Sequence, residues 1–197
     1  RNTMELWLLR PVLSRLRQTR PEVLPILRLI PFDAMENLLE EGSIHVMFSF
    51  RDSAPQKARY QELLRCQIAC ICAPDHPLAE YSAVTLRQLQ EAGRIAACRP
   101  PACARGLFEL QGKAMGNRST SEILFCDNQE AIYALTEAGY AFALVPDLPR
   151  TRIPNLRYIP LSDAKPLSFG AVYLSDKGNP ALRYFLSQLS QSMQDGE

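Results

Sequence analysis

Two stretches of this chain are written in the same grammar, and they constrain its fold more than any other feature. DAMENLLEEGSIHVMFSF (33–50) and DNQEAIYALTEAGYAFALVP (127–146) each run Asp-x-x-Glu, an apolar stripe, an acidic residue, Gly, then a β-rich run. Asp with Glu three residues on is the reciprocal capping box that opens a helix. Glycine closes one, because it enters the left-handed conformation without a Cβ penalty. Each helix is preceded by its own β-rich run, VLPILRLIP before the first and TSEILFC before the second. A strand, a helix and a strand joined by short connections make a βαβ crossover with parallel strands and a right-handed path. The second copy is longer between Asp and Gly by just under one turn. Shared βαβ grammar accounts for the likeness without duplication, and it points to two comparable α/β halves.

The remaining segments fit that alternation. Leu6, Leu9, Leu13 and Leu16 recur every three or four positions and predict a helix from Leu6 to Thr19, ending before Pro21, with Pro11 delaying or bending its first turn. RYQELL and CQIACICAP predict strands; Thr85 and Gln88 frame a capping box on TLRQLQEAG; RIAAC predicts the next strand. ARGLFELQGKAMG predicts a helix from about Ala104, downstream of Pro100 and Pro101, and Asp127 with Glu130 is read as the capping box of the next one. LRYIPLS and LSFGAVYLS predict strands, and a closing helix starts at Asn179 with Pro180 in its first position.

Composition narrows the function. With 47% apolar and 22% charged residues and a net charge of +1, the chain is an ordinary globular one, and no run of five Lys or Arg offers a nucleic-acid footprint. No apolar run reaches the roughly 18 residues of a membrane span, and RNTMELWLLR lacks the features of a signal peptide, so a cytoplasmic protein is expected. The cysteines at 66, 70, 72, 98, 103 and 126 contain no C-x-x-C, and only His45 and His76 could add nitrogen ligands, so no metal is expected. They read as small buried hydrophobes, with a redox pair of Cys98 and Cys103 as the alternative. No Ser-His-Asp set, G-x-S-x-G or Gly-rich phosphate loop occurs, and the expectation is a binding protein without catalytic residues or cofactor. His76, in PDHPLA, is read as a turn residue.

Four segments in order carry a family resemblance: LLRPVLSRLRQTRPEVLPILRL, LLEEGSIHVMFSF, PDHPLA and EAGYAFALVP. Together they resemble the effector-binding domain of LysR-type transcriptional regulators over nearly the whole chain. His45 and Tyr140-Ala141 depart from the family pattern, and the family's winged helix-turn-helix, linker helix and first strand have no counterpart here. The resemblance implies a type 2 periplasmic-binding-protein-like α/β fold. It would comprise two Rossmann-like subdomains, 1–70 with 146–197 and 71–145, joined by two crossover strands near Cys66–Ala73 and Ala143–Leu148. It also implies a small-molecule effector in the inter-subdomain cleft and a homodimer, with the helix Leu6 to Thr19 antiparallel to the partner's helix 128–138. A tetramer in the full-length protein follows, with DNA bound only through the absent N-terminal domain. A transporter's solute-binding protein, with the same fold and cleft, is the alternative.

In open α/β sheets ligands lie beyond the carboxyl ends of the strands, where helix N-termini converge. The candidate contacts are therefore Asn2, Thr3, Pro31, Phe32, Ser49, Phe50, Arg99, Pro100 and Asn128, with Pro146 ending a crossing strand. Free N–H groups, the helix dipole and Arg99's planar fork favour a carboxylate, while Asp33 and Asp127 favour a hydroxyl, amine or mixed-polarity group beside them.

Overall fold

A computed structural model describes residues 4–30, 34–100, 103–148 and 150–194. In chain order its helices are α1 (Arg10–Thr19), α2 (Met35–Glu40), α3 (Leu86–Gln90), α4 (Arg105–Met115), α5 (Gln129–Glu137) and α6 (Pro180–Gln194). Its strands are β1 (Met47–Phe50), β2 (Arg59–Cys66), β3 (Ile68–Cys72), β4 (Ile95–Cys98), β5 (Ile123–Cys126), β6 (Phe142–Pro146), β7 (Arg157–Pro160) and β8 (Leu167–Tyr173). The chain divides into two compact units, one holding Cys66–Leu148 and Arg152–Leu167, the other holding 4–65, 150–151 and 168–194.

The first unit is built on a five-stranded sheet in the order β5-β4-β6-β3-β7. β4 runs parallel to both β5 and β6, while β3 is antiparallel to β6 and to β7. Every residue of β3, β4 and β6 is buried. That burial on both faces explains why IACIC, IAAC and FALVP are continuous apolar runs without alternation. Helices α4 and α5 cover the sheet, and α3 packs against α4. Arg118 ties the ends of α3 and α4 together: its Nε donates to Gly93 O at 2.6 Å, its Nη1 to Ala114 O at 2.5 Å and Met115 O at 3.1 Å, and its Nη2 to Leu89 O. One guanidinium thus satisfies carbonyls that two helix ends leave without an intrahelical partner. The capping box of Thr85 and Gln88 forms as expected.

The second unit is built on a three-stranded sheet in the order β1-β8-β2, with β1 antiparallel to β8 from Met47 opposite Val172 to Phe50 opposite Phe169. Alternation along β8 splits two cores: Ala171 meets Leu9, Val12, Leu182, Leu186 and Leu189 of the α1 and α6 side, and Val172 meets Met35, Leu39 and Met47 on the α2 side. Asn179 caps α6, its Oδ1 accepting from Leu182 N at 2.9 Å.

Several expectations change. The first helix opens as a 3-10 turn over Met4–Leu9 and becomes α-helical only at Arg10, with Pro11 in its first turn. No strand forms over 23–30, where Leu24, Ile26 and Leu27 are 84%, 87% and 51% exposed. Pro25 sits inside that run and removes a ladder donor. The first βαβ unit therefore loses its leading strand, and β1 pairs antiparallel with β8 instead. The second one holds, with β4 lying between its two parallel strands. The cap of α5 is Asn128, whose Oδ1 accepts from Ala131 N at 2.8 Å, one residue beyond the expected Asp127. Asp33 lies outside the described residues.

The units also divide differently from 1–70 with 146–197 and 71–145. Residues 66–70 and 152–167 belong with the five-stranded sheet, because β3 and β7 pair across it. The chain passes from one unit to the other after Arg65, Leu148, Thr151 and Leu167.

Candidate functional site

At the carboxyl ends of β4 and β5 the first unit gathers the polar groups expected of a binding site. Arg99 follows β4, is exposed, and lies with its guanidinium carbon 3.8 Å above the Phe125 ring of β5. Stacking on an aromatic face holds the guanidinium plane while leaving its N–H fork directed outward. Asn128, half-buried, opens α5. Its cap bond leaves other first-turn N–H groups and the positive end of the dipole at the same strand edge. Asp127 stands beside it, exposed, and its charge raises the neighbouring Cys98 and Cys126 thiols slightly further.

Beneath Arg99, the turn after β4 is held by Gln111, fully buried on α4. Its Oε1 accepts from Cys98 N at 3.1 Å, and its Nε2 donates to Cys98 O at 3.0 Å and to Cys103 Sγ at 3.7 Å. The carboxamide imitates a neighbouring strand, pairing both backbone groups of the last β4 residue. Cys103 Sγ also donates to Cys98 O at 3.3 Å. Burial pushes the Cys98 thiol up to about 12 and the Cys72 thiol up to about 11, and burial raises Cys70 and Cys126 as well. These thiols are protonated at neutral pH, which withholds the thiolate that nucleophilic or metal-binding chemistry needs. None of the six cysteines is in a disulfide.

A second polar chain runs from the first turn of α5. Gln129 Nε2 donates to Tyr133 Oη at 2.8 Å, Tyr133 hydrogen-bonds Tyr158, and Tyr158 Oη accepts from Ile153 N at 3.0 Å. Nearby, Arg152 grips Asp147 through two bonds of 2.8 and 2.5 Å. These bonds brace α5 and the chain that follows β6.

The other candidates fall elsewhere. Pro146 is buried and sits in the ladder opposite Ile68, a strand-ending residue of the sheet. Pro100 is exposed beside Arg99. Ser49 and Phe50 belong to the second unit, where Phe50 packs edge-on against Phe169 with centroids 5.3 Å apart. Ser49 is 1% exposed, and its Oγ makes no hydrogen bond to a protein group. Asn2, Thr3, Pro31 and Phe32 lie outside the described residues. His76 serves a turn: its Nδ1 accepts from Leu78 N at 3.1 Å, and burial lowers its pKa. Phe125 and Gln111 were not foreseen. Gln111 carried a signal, a lone amide on the buried stripe Leu107, Gln111, Ala114 of α4.

Among the described residues no cluster of His, Cys, Asp or Glu could hold a metal ion, and no helix is long and apolar enough to cross a membrane.

Two α/β units, one on a five-stranded and one on a three-stranded sheet, match a type 2 periplasmic-binding-protein-like fold. Within that class the chain belongs to the LysR substrate binding domain family, whose pattern it matches over residues 2–194. No curated protein matches it by sequence. Among solved structures it is similar to an OxyR variant of Corynebacterium glutamicum, with a TM-score of 0.77 and 19% identity over 98% of this chain and 62% of that one. CbnR in complex with its target DNA gives a TM-score of 0.72 and 19% identity over 93% of this chain and 65% of that one. The C-terminal domain of a probable LysR family regulator from a Rhodococcus species gives 0.77 and 17% identity, over 92% and 91%. The chain thus spans less than two thirds of the OxyR and CbnR chains.

Proposed function

We propose that this chain is the effector-sensing domain of a LysR-type transcription regulator, and that its effector is a small carboxylate held at the carboxyl ends of β4 and β5. The observation that supports the site best is the Arg99 guanidinium stacked on Phe125 beside the Asn128-capped start of α5. A stacked guanidinium offers two parallel donors, and a helix start adds N–H groups and dipole, so both complement one carboxylate. Asp127 next to Asn128 disfavours a second negative charge there and favours a hydroxyl or amine on the same ligand. Catalysis is not part of this reading: the nearby thiols are held protonated, and His76 spends its Nδ1 on a turn.

In the whole protein the domain would dimerise through α1 and α5 of two copies and reach DNA through a separate domain; full-length CbnR, a structural neighbour, is itself seen in complex with its target DNA. The protein would act in the cytoplasm. A transporter's solute-binding protein fits less well, because the family matched is the regulators' own.

The test is a thermal-shift screen of small carboxylates, amino acids and aromatic acids. A ligand at a hundredfold excess over Kd stabilises the native state by about 2.7 kcal/mol. Arg99→Ala should weaken any hit tenfold or more. An unchanged shift in Arg99→Ala and in Asn128→Ser, which keeps a capping oxygen, would remove the site from these residues.

A further inference from the structure

Cys103 differs from the other five cysteines in one respect: they are buried and it is half-buried. It stands one residue before Ala104, which opens α4 without a side-chain capping bond. Its sulfur is held from two directions. Sγ donates to Cys98 O at 3.3 Å and accepts from Gln111 Nε2 at 3.7 Å, while Gln111 pairs both backbone groups of Cys98. A helix start and an N–H aimed at sulfur both favour negative charge there, the condition under which a thiol attacks a peroxide.

A second thiol lies beside it. Burial raises the Cys98 thiol most, and Cys103 comes next among the groups acting on it, ahead of Cys126 and Asp127. Cys126 is the register partner of Cys98 on the neighbouring parallel strand, so three cysteines share the carboxyl end of β4. Exposure sets their order of access. Cys98 is 2% and Cys126 8% exposed, which keeps an oxidant from both, whereas Cys103 reaches solvent. One accessible thiol against a buried neighbour is the arrangement of a reacting and a resolving cysteine.

We propose that Cys103 is a site of oxidation by hydroperoxides and Cys98 its resolving partner, the two closing to a disulfide around Arg99. In the first step the Cys103 thiolate attacks the peroxide: an S–O bond forms, the O–O bond breaks, and sulfur gives up two electrons to the peroxide. The departing oxygen takes up a proton and leaves as an alcohol, or as water when the oxidant is hydrogen peroxide. In the second step Cys98 sulfur displaces hydroxide from the Cys103 sulfenic acid, and the Cys98 proton leaves with it as water. Proton and hydroxide depart together, so Cys98 serves although its resting thiol is protonated. The disulfide takes the Cys103 sulfur away from Cys98 O and Gln111, and the ring it closes contains Arg99. Oxidation therefore re-forms the turn that presents the guanidinium. The disulfide follows from the thiol geometry by itself, whereas its effect on binding rests on the effector-sensing reading above.

The test takes the whole chain through a hydrogen peroxide titration, followed by alkylation under denaturing conditions and tryptic mass spectrometry. Trypsin spares the Arg99–Pro100 bond, so Cys98 and Cys103 leave together in the peptide 95–105 and Cys126 in another. The first peptide should lose two hydrogens and both alkylation sites, and regain them with dithiothreitol. It should do so at least about tenfold faster than Cys66, Cys70, Cys72 or Cys126 oxidise. Cys98→Ala should stop at a Cys103 sulfenic acid that dimedone traps, and Cys103→Ser should leave Cys98 reduced. The backbone amide of Arg99 should shift on oxidation and return on reduction. Absence of the disulfide, a bond from Cys103 to Cys126 instead, or oxidation of Cys98 in Cys103→Ser would overturn the assignment. A disulfide that leaves the Arg99 amide in place would overturn its coupling to the binding site. If no disulfide forms but the carboxylate screen yields a hit that depends on Arg99, the effector-sensing reading stands and this inference alone falls.

Discussion

Replacing Gln111 tests how the turn that presents Arg99 is held. Its carboxamide makes two hydrogen bonds to the backbone of Cys98, at 3.1 and 3.0 Å, from a position with no solvent exposure. Gln111→Leu keeps the helix propensity and most of the volume but strands the buried Cys98 N–H and leaves Cys98 O with the weaker Cys103 thiol as its donor. A stranded group costs about 1–3 kcal/mol, so a net loss of about 2 kcal/mol is expected. For a chain of this size that lowers the melting temperature by about 4–8 °C. Urea unfolding followed by circular dichroism measures the loss, and hydrogen exchange at Cys98 N–H reports whether the bond itself has gone. Effector affinity should fall with it, because Arg99 follows directly on Cys98. A loss under 1 kcal/mol with Cys98 N–H still protected would refute the claim that this amide holds the turn.

Other outcomes follow from the same geometry. Arg118→Ala leaves four carbonyls of the α3 and α4 ends without their shared donor and should cost about 2–4 kcal/mol; Arg118→Lys, which cannot fork, should recover less than half of it. The buried His76 has its folded pKa below the unfolded value, the Asp75 charge opposing only in part. Its contribution to stability is therefore complete above the unfolded value and is lost as pH falls from there through the lower folded value. Unfolding free energy should begin to drop below about pH 7.5 and go on falling past the unfolded value, and His76→Asn, which keeps a turn acceptor, should flatten that fall. A thiol reagent at pH 7 should modify the buried Cys70, Cys72 and Cys98 only after unfolding, when six thiols titrate; rapid native labelling of Cys98 would contradict its value of about 12.

Two capped helices were legible from their capping side chains, whereas α2 starts at Ala34 without a side-chain cap. Thr85 with Gln88 and Asn179 before Pro180 cap as read from sequence. Asp127 had a rival next door in Asn128, and the register of β5 decided between them by fixing which residue turns into α5. The strand over 23–30 was over-read, since VLPILRLIP has the composition of a strand and composition does not supply a ladder partner. Of the expected contacts, Arg99 and Asn128 do stand at the ends of neighbouring strands. Their supports were hidden, because Phe125 and Gln111 act through contacts set by parallel pairing and helix packing, which no local pattern announces.

The uncovered run over 24–28 carries a cost in solution behaviour. Leu24, Ile26 and Leu27 are exposed apolar side chains in a run without regular structure, the kind of segment that can pair with a neighbouring chain when chains are crowded. Pro25 in its midst acts as a gatekeeper, denying an incoming strand one of the donors it would need. Shelf life and expression yield of this chain should therefore hinge on a single ring: Pro25→Val would cost the native state little and turn a tolerable patch into a nucleus for aggregation.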